Sequence, residues 1–458
     1  MVHSTLSVGP ADPARKHKVI IVDTFSGISA VAAALHNLQD RYEIIKIYSF
    51  EVDNNAIKVA KARIKEMYPG VPHQAWGDIQ NATPFFCNKI IKELEGNDRI
   101  ILLTGGSPCQ DLSSAGVRED GREREHIQGR RSSLFFHLPR ILFWLKCLAS
   151  QPRGLTGDAR VSEWKKRIFY VYENVASMTE EDAQVFNLFS TDALHLKCDA
   201  RDVTLMRRHR KFWINFSMLD CDPVATLDRE GTTTLKGYIQ KKTNGWKLVH
   251  DQDPFLPTLT RRSAQNVQWK YKINKDGFEK SLDMDIVEEI MGFPPGYTAN
   301  VGPSIKLSEA ERRLLVGNSM CIFNLVHIFC GLDDFIVNRE SKSQELLDRL
   351  ERTSKHPWSK TKQQLIDLPQ KGDTELNRKL TERYRVAMEA MEGMDFETEC
   401  CNNGHQWRHK NYEDLKAEKK EKKEEKEKKK KRMRSEVERG GKEENSRTKE
   451  NGGSSRKY

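Results

Sequence analysis

The chain has 458 residues, of which 37% are hydrophobic and 31% are charged, and its formal net charge is +10. The stretch from Lys416 to Arg434 holds twelve Lys or Arg residues against five Glu, and so carries +7 of that charge. The remainder is only mildly basic, so overall charge does not by itself indicate nucleic-acid binding. Nine scattered cysteines without a CxxC pair argue against a disulfide framework and a structural zinc site, and favour a reducing interior.

The ends and apolar runs of the chain predict a soluble intracellular protein. Residues 1–17 lack the apolar region of a signal peptide, and we expect them to be flexible. No apolar stretch approaches the 18 or so residues of a membrane span, so no membrane is expected as a partner.

Strands and helices alternate along the first third of the chain. A β-branched run at residues 19–22 precedes a glycine turn and an alanine-rich helix. A second strand at residues 47–50 ends at Glu51 and precedes another helix. After the helical stretch FFCNKIIKELEG, the run RIILLTGG from Arg99 is a third buried strand. This alternation predicts a right-handed parallel sheet with helices on both faces.

The middle of the chain continues this pattern and then loosens. An apolar helix, SSLFFHLPRILFWLKCLAS, precedes the strand RIFYVYENV and the arginine-rich strand-and-turn segment HLKCDARDVTLMRRHRKFWINF. From about residue 220 to 266 no clear helix is visible, which predicts a small irregular lobe. The ordered part ends with three predicted helices, MDIVEEIMGF, SEAERRLLVGNSM and NLVHIFCGLDDF.

The polar segment beyond residue 339 predicts a tail that passes from charged helix to disorder. Its basic run KKKKRMR from Lys428 fits a solvating tail and a nuclear-import or phosphate-binding patch equally well.

Four predicted strand ends carry unusual residues: DTFSG, FEVD, GGSPCQ and YENV. In open α/β sheets the carboxyl ends of the strands border one crevice, where ligands bind. Taken alone, Cys109 is either a nucleophile or a buried core thiol. Glu51 and Asp78, taken alone, are as well explained as helix-capping or surface carboxylates. Their convergence on one crevice favours a functional site.

The first turn predicts an adenosine site without a phosphate chain. DxFxG is not the dinucleotide fingerprint GxGxxG, and the chain contains no GxxxxGK[ST] phosphate loop. Gly27 lets the backbone approach a ligand, and Phe25 offers an aromatic face for a base. Glu51 is placed to bind a ribose hydroxyl pair, and Asp78 to accept from an exocyclic amine.

In their order along the chain, these motifs resemble those of the DNA cytosine-5 methyltransferases. DTFSG, EVD, GDI, SPCQ and ENV look like that family's first motifs, RRHR from Arg207 like its arginine pair, and GNSM from Gly317 like its closing motif. The resemblance covers about residues 18–335. GGSPCQDLS, RRHRKFW and EIMGFPPGYT look closest to the eukaryotic de novo branch, although no recognisable chromatin-reading module precedes the first strand.

The resemblance implies a Rossmann-like S-adenosylmethionine-dependent methyltransferase sheet at residues 18–338. A target-recognition lobe would be inserted at about residues 217–268, and residues 339–458 would form the charged tail. S-adenosylmethionine would bind without any metal and leave as S-adenosylhomocysteine. The implied cofactor residues are Phe25, Gly27, Ile28, Glu51, Val52, Asp78, Ile79, Asn318 and Ser319.

The resemblance also implies catalytic roles for four residues. Carbon-5 of cytosine becomes nucleophilic only when a thiolate adds to carbon-6, and Cys109 would supply that thiolate. Arg208 and Arg210 would raise its thiolate fraction. Glu173 would hydrogen-bond to ring N3, and Asn174 would hold its loop in place.

The implied partner is double-stranded DNA, and the implied location is the nucleus. The target base must be flipped out of the helix, and the loop at residues 110–133 would close over it. The lobe would contact the DNA backbone through Lys236, Lys241, Lys242 and Lys247. Chromatin proteins or a second copy of the chain stay open as further partners. A tRNA cytosine-5 methyltransferase and a catalytically silent regulatory paralogue are the alternative functions.

Overall fold

The computed structural model describes residues 16–94, 99–113, 125–150, 167–190, 193–216, 218, 234–249, 254–259, 272–299, 301–302 and 306–339. The predictions for residues 1–15, for the middle of the loop after Cys109 and for the tail beyond residue 339 lie outside these ranges, as does much of the predicted lobe.

A seven-stranded sheet forms the centre of the fold. Its strands are β1 (His17–Thr24), β2 (Tyr42–Phe50), β3 (His73–Ala75), β4 (Arg99–Gly106), β5 (Ile168–Val175), β6 (Leu194–Asp199) and β7 (His209–Ile214). They lie in the order β3-β2-β1-β4-β5-β7-β6, and β1 to β5 run parallel. Every residue of β5 is buried, as expected for a parallel strand covered by helices on both faces. The Rossmann-like sheet predicted from the sequence is confirmed.

One edge of the sheet departs from the predicted all-parallel arrangement. β7 runs antiparallel to both β5 and β6. The segment between β6 and β7 spans only residues 200–208, too short for the crossover that a parallel connection needs. The start of β7 therefore lies beside the carboxyl end of β5.

The described helices cover the sheet and complete the core. They are α1 (Ala30–His36), α2 (Asn54–Met67), α3 (Pro84–Lys92), α4 (His137–Ser150), α5 (Glu180–Phe189), α6 (Leu235–Lys242), α7 (Met284–Ile290), α8 (Glu309–Asn318) and α9 (Ile322–Arg339). Side chains cap the first turns of several of them: Asp53 accepts from two backbone amides of α2, and Ser308 forms a capping box with Glu311 on α8.

The last two helices contradict the prediction that no apolar stretch approaches the length of a membrane span. The stretch Glu309–Val337 is long and apolar enough to cross a membrane by length and composition, so the expectation that no stretch approaches a span is wrong. However, 78% of its most apolar window is buried inside the protein. Asp333 on α9 also lies 2.8 Å from His17 Nε2 and 2.5 Å from Arg41. This burial and these charged contacts are those of a helix packed on the sheet.

A second, three-stranded antiparallel sheet lies within and just beyond the residues of the predicted lobe. Its strands are β8 (Lys247–Leu248), β9 (Lys272–Lys275) and β10 (Phe278–Ser281), in the order β10-β9-β8. This sheet extends past residue 268. The expectation of no clear helix in the lobe is wrong, because α6 has two turns. Thr234 caps it, and only Leu235 and Ile239 are buried, too few to reveal a period in the sequence.

Candidate active site

The carboxyl ends of β1, β2, β4 and β5 border one cavity of about 300 Å³. It adjoins the point between β1 and β4 where the strand order reverses, the usual ligand site of an open α/β sheet. The structure brings eleven of the thirteen predicted site residues into its wall: Phe25, Gly27, Glu51, Val52, Asp78, Ile79, Cys109, Glu173, Arg208, Arg210 and Asn318. Ile28 and Ser319 lie behind the wall, 1% and 7% exposed.

The turn after β1 has an unusual backbone. Phe25, Gly27 and Ser29 all have positive φ angles, of 52°, 51° and 64°. Such angles are uncommon for residues with a side chain, and they cluster at ligand sites when the surroundings hold them in place. Here the amide of Ser26 donates to Phe50 O at 3.0 Å. The resulting turn presents Phe25 and Gly27 to the cavity.

Glu51 holds this turn to the end of β2. Its Oε2 accepts from the Gly27 amide at 2.8 Å, and its Oε1 accepts from the amides of Val52 and Asp53 at 2.8 and 2.9 Å. Each carboxylate oxygen can accept two hydrogen bonds, so Oε2 keeps capacity for a ligand hydroxyl. The carboxylate therefore shapes the first turn as well as facing the cavity.

Asp78 lines the opposite wall. Its Oδ1 accepts from the Gln80 amide at 3.0 Å and caps the short helical turn at Ile79–Asn81. A capping role and a ligand role are thus compatible, because one oxygen is used in the cap. Val52 is 67% exposed at the edge of the same cavity.

Two glycines let β4 end close to its neighbours. An ideal Cβ at Gly105 would lie 2.6 Å from Leu138 Cδ2 and against the Thr24 hydroxyl, so any side chain would clash. A Cβ at Gly106 would lie 3.0 Å from Glu173 Oε2. These close approaches explain why a double glycine precedes Ser107 and Cys109.

Cys109 begins the turn that follows β4 and is partly exposed. Its carbonyl accepts from the amides of Leu112 and Ser113 at 3.1 and 2.9 Å. Burial raises the pKa of the Cys109 thiol above its ordinary value of 9.0, Arg210 and Arg208 oppose this rise, and Glu173 adds to it. The two arginines thus act in the predicted direction, but burial outweighs them and favours the thiol.

Glu173 and Arg210 form a buried ion pair beside Cys109. Arg210 Nε lies 2.6 Å from Glu173 Oε1, and the two side chains are 12% and 11% exposed. Glu173 pairs with Gly106 of β4 on one side and with Phe212 of β7 on the other. The antiparallel direction of β7 brings Arg210, near its first residue, to this end of the sheet.

Asn174 links the end of β5 to the turn that follows β4. It is fully buried, and its Nδ2 donates to Ser107 O at 3.2 Å and to Ser107 Oγ at 3.0 Å. Its Oδ1 accepts from the Val175 amide at 2.8 Å. The amide therefore ties the start of the Cys109 turn to the end of β5, in agreement with its predicted role.

Arg208 is placed differently from Arg210. Its guanidinium donates to Gly317 O at 3.1 Å and to Ser319 O, the carbonyls on either side of Asn318. Its own amide donates to Asp199 Oδ1 at 2.9 Å. Burial and the neighbouring Arg210 lower the pKa of Arg208 to about 10. These contacts anchor the end of α8 at the cavity and position Asn318.

The described ends of the loop at residues 110–133 are held together at its base. Asp111 Oδ2 accepts from the Ser132 amide at 3.4 Å and the Ser132 hydroxyl at 3.3 Å. Further along, His126 Nδ1 lies 2.8 Å from Asp182. The predicted closure over a flipped base concerns residues 110–133, of which residues 114–124 lie outside the described ranges.

Asp23 is a residue at this site to which the sequence analysis gave no role. It is buried one residue before the end of β1, and its Oδ1 accepts from the Thr104 hydroxyl at 2.8 Å. Burial raises the pKa of Asp23 to about 7, the Thr104 hydrogen bond opposes this, and Glu51 adds to it. Asp23 could have been found from the sequence by its position in the DTFSG motif.

This raised pKa predicts a pH-dependent stability. Because the folded-state pKa lies above the ordinary value of 3.8, the contribution of Asp23 to stability is fully present below pH 3.8 and is lost as the pH rises to about 7. We expect Asp23→Asn to gain about 2 kcal/mol of unfolding free energy over the wild type between pH 5 and pH 8. Urea denaturation at several pH values measures the difference. The exposed-turn variant Asp40→Asn is the control, and a difference that did not grow with pH for Asp23→Asn would contradict the prediction.

Comparison with known sequences supports the resemblance seen in the motifs. Residues 19–146 match the family model for the C-5 cytosine-specific DNA methylases, which confirms that resemblance for this segment. The chain is 25% identical over 162 residues to DNA (cytosine-5)-methyltransferase DRM1A of Oryza sativa subsp. japonica, covering 35% of this chain and 32% of that protein. It is 27% identical over 135 residues to Type II methyltransferase M1.ScrFI of Lactococcus lactis subsp. cremoris, covering 30% and 28%. The aligned regions thus span about a third or less of these relatives.

Comparison with solved structures finds matches that include two Dnmt2 proteins. The alignment with the S. pombe Dnmt2 methyltransferase covers 68% of this chain and 97% of the Dnmt2 chain, with 13% sequence identity and a TM-score of 0.39. A mutant of Spodoptera frugiperda DNMT2 is 16% identical, has a TM-score of 0.41, and covers 70% of this chain and 100% of its own.

Proposed function

We propose that this chain, whose residues 19–146 match the C-5 cytosine-specific DNA methylase family, transfers a methyl group from S-adenosylmethionine to carbon-5 of cytosine in double-stranded DNA. The observation that carries the proposal is that one cavity holds Cys109, the Glu173–Arg210 pair and the first turn at Phe25 and Gly27. A nucleophile, a group for ring N3 and an adenosine-type turn thereby face the same space.

The residues of the cavity fit S-adenosylmethionine. A volume of about 300 Å³ is at the lower end of the range for small-molecule sites. Gly27 allows close approach of the ligand, and Phe25 supplies an apolar face. Glu51 Oε2 and Asp78 keep acceptor capacity for hydroxyl and amine groups. When bound, S-adenosylmethionine supplies an electrophilic methyl group.

Cys109 provides the covalent step. Its sulfur, as the thiolate, adds to carbon-6 of the ring, and the electron pair displaced from the ring double bond makes carbon-5 nucleophilic. After carbon-5 is methylated, loss of the carbon-5 proton and release of the sulfur restore the aromatic ring. Since the pKa of the thiol is raised, only a minor fraction of Cys109 is ready to react in the free protein at neutral pH.

The role of Glu173 is to neutralise the negative charge that addition of the sulfur creates on the ring. Electron density moves to ring N3, and a carboxyl group that holds a proton at N3 neutralises it. Arg210 holds Glu173 from the β7 side, and the lack of a side chain at Gly106 leaves room for the carboxylate on the β4 side. Asn174 fixes the distance between this carboxylate and the Cys109 turn.

The small lobe supports duplex DNA as the partner. Lys236, Lys241, Lys242 and Lys247 are all exposed on it, although Lys242 pairs with Glu289 at 2.7 Å. The β9–β10 hairpin adds the exposed Lys280 and Phe278, which is 74% exposed. Lys272 and Lys275 on the same hairpin are half-buried, and Lys272 pairs with Glu279 at 3.1 Å. Exposed cations beside an aromatic side chain suit phosphate contacts and contacts with bases. We further propose that the protein acts in the nucleus on unmethylated DNA.

We expect these lysines to contribute to DNA affinity through charge. The double change Lys241→Gln/Lys247→Gln should weaken binding to duplexes of any sequence, and should reduce the slope of log affinity against log salt by about 1 to 2. Fluorescence anisotropy across a salt series measures this slope. Lys65→Gln, an equally exposed change on α2, should leave it unchanged. Equal slopes for all three proteins would argue against the lobe as a DNA contact.

Methyl transfer from radiolabelled S-adenosylmethionine tests the proposed function. The substrates are unmethylated duplex DNA, hemimethylated duplex DNA and bulk tRNA, each assayed with the wild type and with Cys109→Ala. Label in DNA that depends on Cys109 supports the proposal, and a preference for the unmethylated duplex supports de novo activity. Label in tRNA alone, or cofactor binding without label in any substrate, would overturn it.

A further inference from the structure

The first turn is also held from a distant part of the chain. Tyr297, 2% exposed, donates its hydroxyl proton to Ile28 O at 3.0 Å across 269 residues of sequence. Ile28 lies between the left-handed residues Gly27 and Ser29. The Tyr297 hydroxyl therefore contacts a part of the turn where the flanking residues have left-handed backbone angles.

Tyr297 is itself fixed on a rigid support. The buried carboxylate of Glu288 accepts from the Tyr297 amide at 2.8 Å and from the Thr298 amide at 3.1 Å. Arg312 lies 3.1 Å from the same carboxylate. Arg63 of α2 donates to Tyr297 O at 2.7 Å and to Gly296 O at 2.8 Å. Hydrogen bonds to Glu288 and from Arg63 thus fix the backbone of Tyr297, which carries the phenol that contacts the turn.

Backbone hydrogen bonds close the turn locally: the Ser29 amide donates to Ser26 O at 2.8 Å, and the Ala33 amide at the start of α1 donates to Ser29 O at 3.1 Å. Its side chains add little to these. The hydroxyls of Ser26 and Ser29 are buried and have no hydrogen-bond partner within the part of the chain that the structure describes. The tethers at its start, Ser26 N to Phe50 O and Gly27 N to Glu51 Oε2, both come from the end of β2. The Tyr297 hydroxyl supplies a tether at the other end.

We propose that Tyr297 is a positioning residue that sets the affinity for the adenosine end of the cofactor. The inference rests on the proposed function and concerns the same cavity. Left-handed angles at Phe25 and Ser29, which both have side chains, are costly, so without the tether the turn relaxes in a fraction of molecules. Apparent affinity falls in proportion to the fraction of protein that has the binding conformation. Cys109 follows β4 and Glu173 lies on β5, both outside the first turn, so the chemical step itself is unaffected.

The test compares Tyr297→Phe with Tyr42→Phe. Tyr42 is a matched control, because it is also 2% exposed and its hydroxyl donates to a backbone carbonyl, Phe329 O, at 2.5 Å, but at the opposite end of the sheet. Tyr297→Phe should raise the Kd for S-adenosylhomocysteine and the KM for S-adenosylmethionine by about 3- to 10-fold, as expected for one hydrogen bond. The kcat at saturating cofactor should stay within about twofold of the wild type.

Calorimetry and initial rates separate the outcomes. Arg63→Ala, which removes the two bonds to residues 296 and 297, should raise the Kd in the same direction. A Kd for Tyr297→Phe equal to that of the wild type, or a loss of kcat with an unchanged Kd, would overturn the inference and leave the proposed function intact. An equal rise in Tyr42→Phe would also overturn it. Absence of any cofactor binding by the wild type would instead overturn the proposed function.

Discussion

Replacing Cys109 with alanine is expected to reduce methyl transfer by at least about 10³-fold, because the sulfur is the group that makes carbon-5 of the base reactive. Binding of S-adenosylhomocysteine should be retained, since the first turn and the acids Glu51 and Asp78 are unchanged. Cys198→Ala is the matched control. Cys198 is also a partly buried free thiol, and burial raises its pKa to about 11, but it lies on β6 away from the cavity wall.

The raised pKa of the Cys109 thiol predicts that the reactivity of this thiol depends on pH. Below that pKa the thiolate fraction grows about tenfold for each pH unit, so alkylation of Cys109 by iodoacetamide should rise steeply from pH 7 to pH 8.5. Mass spectrometry of the modified peptide measures the rate at this single site. A rate independent of pH over this range would show that Cys109 is already a thiolate, contrary to the structure.

Changing Glu173 to glutamine is expected to lower kcat by about 10² to 10⁴-fold, the usual contribution of a positioned proton donor or acceptor. Glutamine has nearly the same shape, so it should fit the space that Gly106 leaves beside it. It cannot form the ion pair with Arg210 and cannot transfer a proton to ring N3. Rates at saturating S-adenosylmethionine and DNA measure the loss, with cofactor affinity as the internal control.

The same variant should have the opposite effect on the free thiol. Glu173 raises the pKa of Cys109 while Arg210 lowers it, so Glu173→Gln should lower that pKa and accelerate alkylation at a given pH. Faster alkylation together with slower catalysis would assign Glu173 to the base rather than to activation of the sulfur. If alkylation and catalysis both slowed, Glu173 would instead be needed for the shape of the Cys109 turn.

Much of this site could be predicted because strand periodicity is local. The apolar runs before Gly27, Glu51, Cys109 and Glu173 identify strands from a few neighbouring residues. Parallel strands place their carboxyl ends at one edge, so motifs far apart in sequence had to converge. Their order then matched the cytosine-5 methylase family, and the match at residues 19–146 agrees.

Other features depended on contacts that no local pattern contains. The balance of burial against two arginines at Cys109 depends on how much water the packed chain excludes, so its sign could not be read from the motif. The tether from Tyr297 to Ile28 joins segments separated by 269 residues. The two-turn helix α6 was missed because two buried residues are too few to define a period.

The sequence by itself determined the alternation of strands and helices, the carboxyl-end motifs and the chemical types of the site residues, because each depends on neighbours along the chain. Only the tertiary structure decided which side chains meet. The clearest case is β7, whose antiparallel direction places Arg210 against Glu173 and Arg208 against the end of α8. A parallel β7 would have carried both arginines away from the strand ends where the cavity lies.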